Sequence, residues 1–200
     1  MSGVHLFPGH ALCGAPRPDP PQRGRLLAGR LDEPLDATGL AQAEALAQLF
    51  ASVPVELVVT SPLVRAYETA AAISRLTAAP LETSPDLADR DDGPWAGRPR
   101  EDLEAAPGGP DGAPGIGGAD VFAARVMTAW TEIERRVGSS AAVVVAHDAV
   151  NRCMLHLLIP GLADPDQIEQ RTGCWNRLEL RPAGWRAPVI DAIPGDGQRP

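Results

Sequence analysis

Two apolar runs constrain this chain more than any other feature: Val55-Glu56-Leu57-Val58-Val59-Thr60 and Ala141-Ala142-Val143-Val144-Val145-Ala146. A strand with one face in water alternates apolar and polar side chains. Runs as continuous as these suit a sheet covered on both faces. Each precedes a helical pattern. Ser61-Pro62 reads as an N-cap and first helical residue, opening a helix to about Leu76, and Ala149–Leu158 forms a helix ending at Pro160-Gly161. Thr38 is placed to cap a helix through Phe50, with Leu46, Leu49 and Phe50 on one face; Asp120–Val137 carries Val126, Trp130, Ile133 and Val137 on another. Val4–Phe7 reads as a strand ended by a turn at Pro8-Gly9-His10, and tail strands are expected near Asn176–Leu180 and Pro188–Ile190. Strands alternating with helices predict an α/β three-layer sandwich, a mostly parallel central sheet with helices on both faces. One domain is expected over residues 1–200. Residues 13–36 read as a loop and 79–118 as irregular. The stretch 105–118 is too rich in Gly and Pro for regular structure, which leaves a surface loop or an active-site lid.

Charge excludes some partners. The net charge of −8 argues against nucleic acid or an anionic membrane, which attract clustered positive charge. A small-molecule substrate is expected, and a homodimer is left open. Cys13, Cys153 and Cys174 are widely spaced, with no CxxC pair and no Cys/His metal spacing, so reduced thiols are expected. Neither a Gly-rich dinucleotide fingerprint nor a P-loop is present, and no metal or organic cofactor is expected. No basic start precedes an apolar run, and no stretch reaches the ~18 apolar residues of a spanning helix. The expected location is the cytoplasm.

Four segments carry the chemistry. They are Val4-His5-Leu6-Phe7-Pro8-Gly9-His10; Gly29-Arg30-Leu31-Asp32-Glu33-Pro34-Leu35 with its continuation Gly39-Leu40-Ala41-Gln42-Ala43; Ser61-Pro62-Leu63-Val64-Arg65 running on to Thr69-Ala70; and Val143-Val144-Val145-Ala146-His147-Asp148. In this order they resemble the histidine phosphatase (phosphoglycerate-mutase-like) superfamily over roughly residues 4–180. The resemblance implies an anion pocket at the carboxyl ends of the strands, the usual ligand position in open α/β sheets. There a histidine of an Arg-His-Gly triplet attacks phosphorus. A second histidine and two arginines hold the phosphoryl oxygens, and a carboxylic acid protonates the leaving oxygen. Carried over by position, Arg65 is implied as an oxyanion clamp, His147 as the second histidine and Asp89 as the acid or base. Arg30, Asp148 and Trp95 are expected to contact substrate, with Trp95 and Trp175 offering an aromatic wall.

The first segment departs from the pattern. Pro8-Gly9-His10 stands where the family has Arg-His-Gly, so an arginine is lost and His10 lies one residue late. In an extended chain a one-residue shift turns a side chain to the opposite face, although a glycine turn can return it to the pocket. His10 therefore remains a candidate catalytic residue. Asp148 follows His147 where the family usually has Gly. It can repel a phosphate dianion, orient His147 or cap the next helix. Together the changes move the pocket two charge units away from phosphate, with each close contact worth about a few kcal/mol in a partly buried site.

These residues leave three functions open. The one favoured by what was lost and kept is acid/base chemistry on a small organic metabolite, a deprotonation-initiated isomerisation or cyclisation in specialised metabolism. The second is a phosphomonoesterase acting on a small phosphorylated metabolite. The third is a non-catalytic relative that binds a metabolite or protein.

Overall fold

A computed structural model describes residues 9–15 and 26–200. The expected strand Val4–Phe7 and part of the 13–36 loop lie outside the described residues. Six strands form one sheet: β1 (Gly9–Gly14), β2 (Val55–Thr60), β3 (Leu81–Thr83), β4 (Ala141–Ala146), β5 (Trp175–Arg181) and β6 (Gly184–Ala192), in the order β3-β2-β4-β1-β5-β6. The pairs β2–β3, β2–β4 and β1–β4 are parallel. β5 runs antiparallel to β1, and β6 antiparallel to β5. The tail strands are longer than the sequence suggests, because each is held by a partner that extends it past its apolar centre.

The apolar runs are continuous for the expected reason. Val143 and Val145 of β4 pack with Leu46 and Phe50 of α1 (Ala37–Phe50) and with Ala66, Ala70 and Ile73 of α2 (Val64–Thr77). The alternate residues Ala142, Val144 and Ala146 pack on the other face. Their partners are Val126 and Trp130 of α5 (Ala119–Val137) and Met154 and Leu155 of α6 (Asp148–Leu158). The sheet is thus the middle of three layers, and side chains of one strand feed both cores. Trp175 is wholly buried and meets Phe50 edge-on at 6.0 Å, so it belongs to the core and not to a pocket wall.

Helix starts differ from the sequence reading. Asp36, not Thr38, caps α1: its carboxylate accepts from the Gly39 N–H at 2.7 Å. An Asp36→Ala variant is expected to lose about 1 kcal/mol of unfolding free energy in urea denaturation, the usual size of a lost N-cap. α2 begins at Val64, three residues after Ser61. Its Val64 N–H is accepted by Asp32 at 2.6 Å, while Glu68 accepts from the Leu35 N–H at 2.8 Å. These two bonds fasten the Asp-x-Pro-Leu segment to the helix that carries Arg65.

Between β3 and α5 the chain is less irregular than its composition suggests. It forms α3 (Arg100–Glu104) and a single turn, α4 (Gly109–Gly112), entered through Gly108 at φ 86°. Leu27, Leu103 and Ala113 make a small separate cluster with Trp95, Ala106 and Ile116. Backbone bonds from Gly97 to Leu27 (2.7 Å) and from Leu27 to Arg98 (2.9 Å) tie this cap to the segment that leads to Gly29.

Candidate active site

Parallel pairing of β2 with β4 places Thr60 opposite Val145, so Ser61 and His147 leave the sheet side by side at its carboxyl edge. Arg65 is in the first turn of α2, and Asp89 follows a short 3-10 turn after β3. All four side chains are buried. Arg65 Nη2 lies 3.2 Å from Asp89 Oδ2 and 3.2 Å from His147 Nδ1. His147 Nδ1 is 3.7 Å from Asp89 Oδ2, and its Nε2 is 2.8 Å from Ser61 Oγ. Arg65 also donates to the carbonyls of Leu31 (Nη1, 2.6 Å) and Gly29 (Nη2, 2.9 Å).

Asp89 is held as an acceptor. Its Oδ2 receives Arg65, and its Oδ1 receives the Arg90 N–H at 2.9 Å. Both carboxylate oxygens facing N–H donors suits a base or charge partner better than a proton donor. Arg125 of α5 supports the same segment. It donates to the carbonyls of Asp86 (2.7 Å), Ala88 (2.8 Å) and Asp89 (3.3 Å). Burial, and then the charge of Arg30, lower the Arg125 pKa from its ordinary value. Neither Arg125 nor the Ser61 contact was legible in the sequence. Arg125 comes from a helix with no motif, and Ser61 reads as a cap; its Oγ does accept from the Leu63 N–H at 3.2 Å, which leaves its bond to His147 hidden.

The other sequence-derived candidates lie around this cluster or away from it. Arg30 is at the rim, with Nε 3.4 Å from the Asp89 carbonyl and Nη1 3.3 Å from Asp91. Asp148 is the first residue of α6, half-buried, 4.0 Å from Arg152; its place in the first turn suits the helix dipole. It is not the cap residue, a position held by His147. Trp95 packs in the cap cluster, donates its indole N–H to the Pro114 carbonyl at 3.0 Å and stacks with Arg98 at 4.6 Å.

The expected turn at Pro8-Gly9-His10 is corrected. Gly9 and His10 begin β1, and the strand continues to Gly14. His10 pairs with Ala142 near the amino end of β4, five residues before His147. At about 3.3 Å per residue this is roughly 16 Å from the carboxyl edge. Ala15 reaches that edge instead, with its N–H bonded to the Ala146 carbonyl at 2.9 Å. Local sequence misleads here because Pro-Gly signals a turn, while the pairing of β1 with β4 and β5 is set by distant residues.

The three cysteines are free and buried, and burial pushes Cys153 up to about 11 and the other two higher. Among the described residues, no group of three or more His, Cys, Asp or Glu side chains is placed to hold a metal ion. No described helix is long and apolar enough to cross a membrane.

The sequence and the sheet resemble those of known proteins. The family model of the histidine phosphatase superfamily (branch 1) matches residues 18–191. The uncharacterised phosphatase PhoE of Bacillus subtilis (strain 168) is 28% identical over 163 residues, covering 79% of this chain and 81% of PhoE. A mycobacterial glucosyl-3-phosphoglycerate phosphatase in complex with VO3 superposes with a TM-score of 0.79 at 24% identity, covering 92% of this chain and 98% of that one. A putative α-ribazole-5'-P phosphatase from Escherichia coli str. K-12 substr. MG1655 does so with a TM-score of 0.76 at 22% identity, covering 92% and 97%. These structural likenesses establish the fold, and the family match spans most of the sequence: the chain belongs to the histidine phosphatase superfamily.

Proposed function

We propose that this chain is a phosphomonoesterase acting on a small phosphorylated metabolite. The observation that carries the reading is the buried Arg65–His147–Asp89 cluster at the carboxyl edge of a sheet whose relatives are named as phosphatases. A guanidinium and an imidazole side by side, both near one Asp89 oxygen, are groups that suit the charge that develops on transferring phosphoryl oxygens. The relatives favour this reading over the isomerisation or cyclisation expected from the sequence.

The attacking group is assigned to water. Of the described residues at the carboxyl edge, His147 is the imidazole present, and Ala15, which follows β1, bonds to the Ala146 carbonyl next to it. The water oxygen bonds to phosphorus as its proton passes to His147. The ester P–O bond breaks, the alcohol leaves with a proton from solvent, and His147 returns its own extra proton to solvent. Arg65 holds the equatorial oxygens, and Asp89 holds Arg65.

One observation favours a second reading. With Ala15 at the edge and two loop carbonyls on Arg65, His147 and Asp89 also suit proton transfer on a metabolite that carries no phosphate. Hydrolysis of p-nitrophenyl phosphate and a panel of sugar phosphates separates the two. Turnover lost in His147→Ala, kept in His10→Ala, and without labelled phosphate trapped on the protein supports the water route. Label trapped on His10, with turnover lost in His10→Ala, overturns that route. No phosphomonoester turnover by the wild type overturns the phosphomonoesterase reading.

A further inference from the structure

The two ring nitrogens of His147 face partners of unequal ability. Nδ1 lies 3.2 Å from Arg65 Nη2, and a guanidinium only donates. A proton on Nδ1 would set donor against donor, with the nearest Asp89 oxygen at 3.7 Å, beyond a normal hydrogen bond. Nε2 lies 2.8 Å from Ser61 Oγ, which can accept. That hydroxyl has two accepting lone pairs. One takes the Leu63 N–H at 3.2 Å, leaving the other for Nε2–H. The Ser61 backbone is fixed in turn, since its N–H donates to the Val145 carbonyl at 3.0 Å. Ser61 is 0% and His147 1% exposed, so bulk water does not compete for this contact.

We infer that Arg65 and Ser61 together set the tautomer of His147: the guanidinium keeps the ring proton off Nδ1, and Ser61 is the positioning residue that accepts it from Nε2, directing the Nδ1 lone pair toward Arg65 and Asp89. Nδ1 is then the atom that takes a proton during reaction. The lone pair forms the new N–H bond, Nε2–H stays on Ser61, and the ring becomes an imidazolium facing Asp89 once Arg65 turns to the substrate anion. The tautomer is inferred from these contacts and does not depend on the reaction. Its kinetic consequence rests on the phosphomonoesterase reading.

The test is two-bond ¹H–¹⁵N correlation on full-length protein labelled with ¹⁵N-histidine at neutral pH, with the His147 signals assigned by their loss in His147→Gln. The expected wild-type pattern is a single neutral ring protonated at Nε2. Ser61→Ala is expected to give a tautomer mixture and to lower kcat for p-nitrophenyl phosphate roughly tenfold with KM little changed, the size of one buried hydrogen bond. Ser61→Thr, which keeps the hydroxyl, is expected to restore both. A wild-type ring protonated at Nδ1, or as imidazolium, overturns the inference, as does an unchanged His147 pattern in Ser61→Ala. If Ser61→Ala does not fold, the wild-type and Ser61→Thr spectra decide. Absence of phosphomonoester turnover in the wild type counts against the proposed function alone, because the tautomer is read without substrate.

Discussion

Arg65→Ala is expected to lower the unfolding free energy by about 3–5 kcal/mol, the range for breaking a buried ion pair from one side. The side chains of Arg65 and Asp89 are each 3% exposed, so the Asp89 carboxylate loses its charged partner at a site shielded from bulk water. The carbonyls of Gly29 and Leu31 lose their donor in the same step. Urea denaturation measures the loss. An Asp89→Asn/Arg65→Met double variant is expected to lose clearly less than the sum of its single variants, since it removes the stranded charge along with its partner. Additive losses would mean that the pair is not coupled and that the cluster is held by its neighbours. Arg65→Lys does not restore stability in full, because an ammonium cannot reproduce a planar fork reaching two carbonyls and a carboxylate.

The second large effect is on turnover. His147→Ala is expected to reduce kcat by about 10²–10⁴ for any phosphomonoester the wild type hydrolyses, the usual contribution of a positioned acid/base group. Its effect on KM is expected to be smaller, since Arg65 still meets the anion. Steady-state kinetics with p-nitrophenyl phosphate, with circular dichroism to show that the variant is folded, make the comparison. A loss below about threefold would remove His147 from the chemistry, because a general base typically contributes about 10²-fold or more. Asp148→Gly tests the charge next to His147 in the sequence. Removing a half-buried carboxylate at the start of α6 is expected to tighten inhibition by inorganic phosphate or vanadate by about 3–10-fold, the size of one partly screened charge contact near a protein surface.

Much of the fold was legible because its signals are local. Val55–Thr60 and Ala141–Ala146 read as strands covered on both faces, and their alternate residues do feed two cores. The spacing of Val126, Trp130, Ile133 and Val137 marked the buried face of α5. Where neighbours compete, the reading slipped by a residue or two. Asp36 and Thr38 are both good caps, and what decides between them is which one has its oxygen at the Gly39 N–H. The cap region near Gly108–Gly118 reads as irregular, yet contacts of Leu103 and Ala113 with Leu27 order short turns there. The free thiols were expected from the cysteine spacing, and the three cysteines are free. Arg125 was not legible, since a lone arginine on an amphipathic helix carries no sign of the carbonyls it will meet.

The sequence by itself determined the layered α/β architecture and the residue types of the site, because apolar periodicity and the segments around Arg65, Asp89 and His147 are written in consecutive positions. Only the tertiary structure decided which of those residues meet. His10 was drawn to the site by its place one residue after the position of the family's attacking histidine, but the register of β1 against β4 sets it beside Ala142 and brings Ala15 to the edge. Ser61 looked like a helix cap and became the partner of an imidazole 86 positions away. Strand register and side-chain pairing are properties of hydrogen bonds between distant segments, and a shift of one residue changes every contact at the end of a strand.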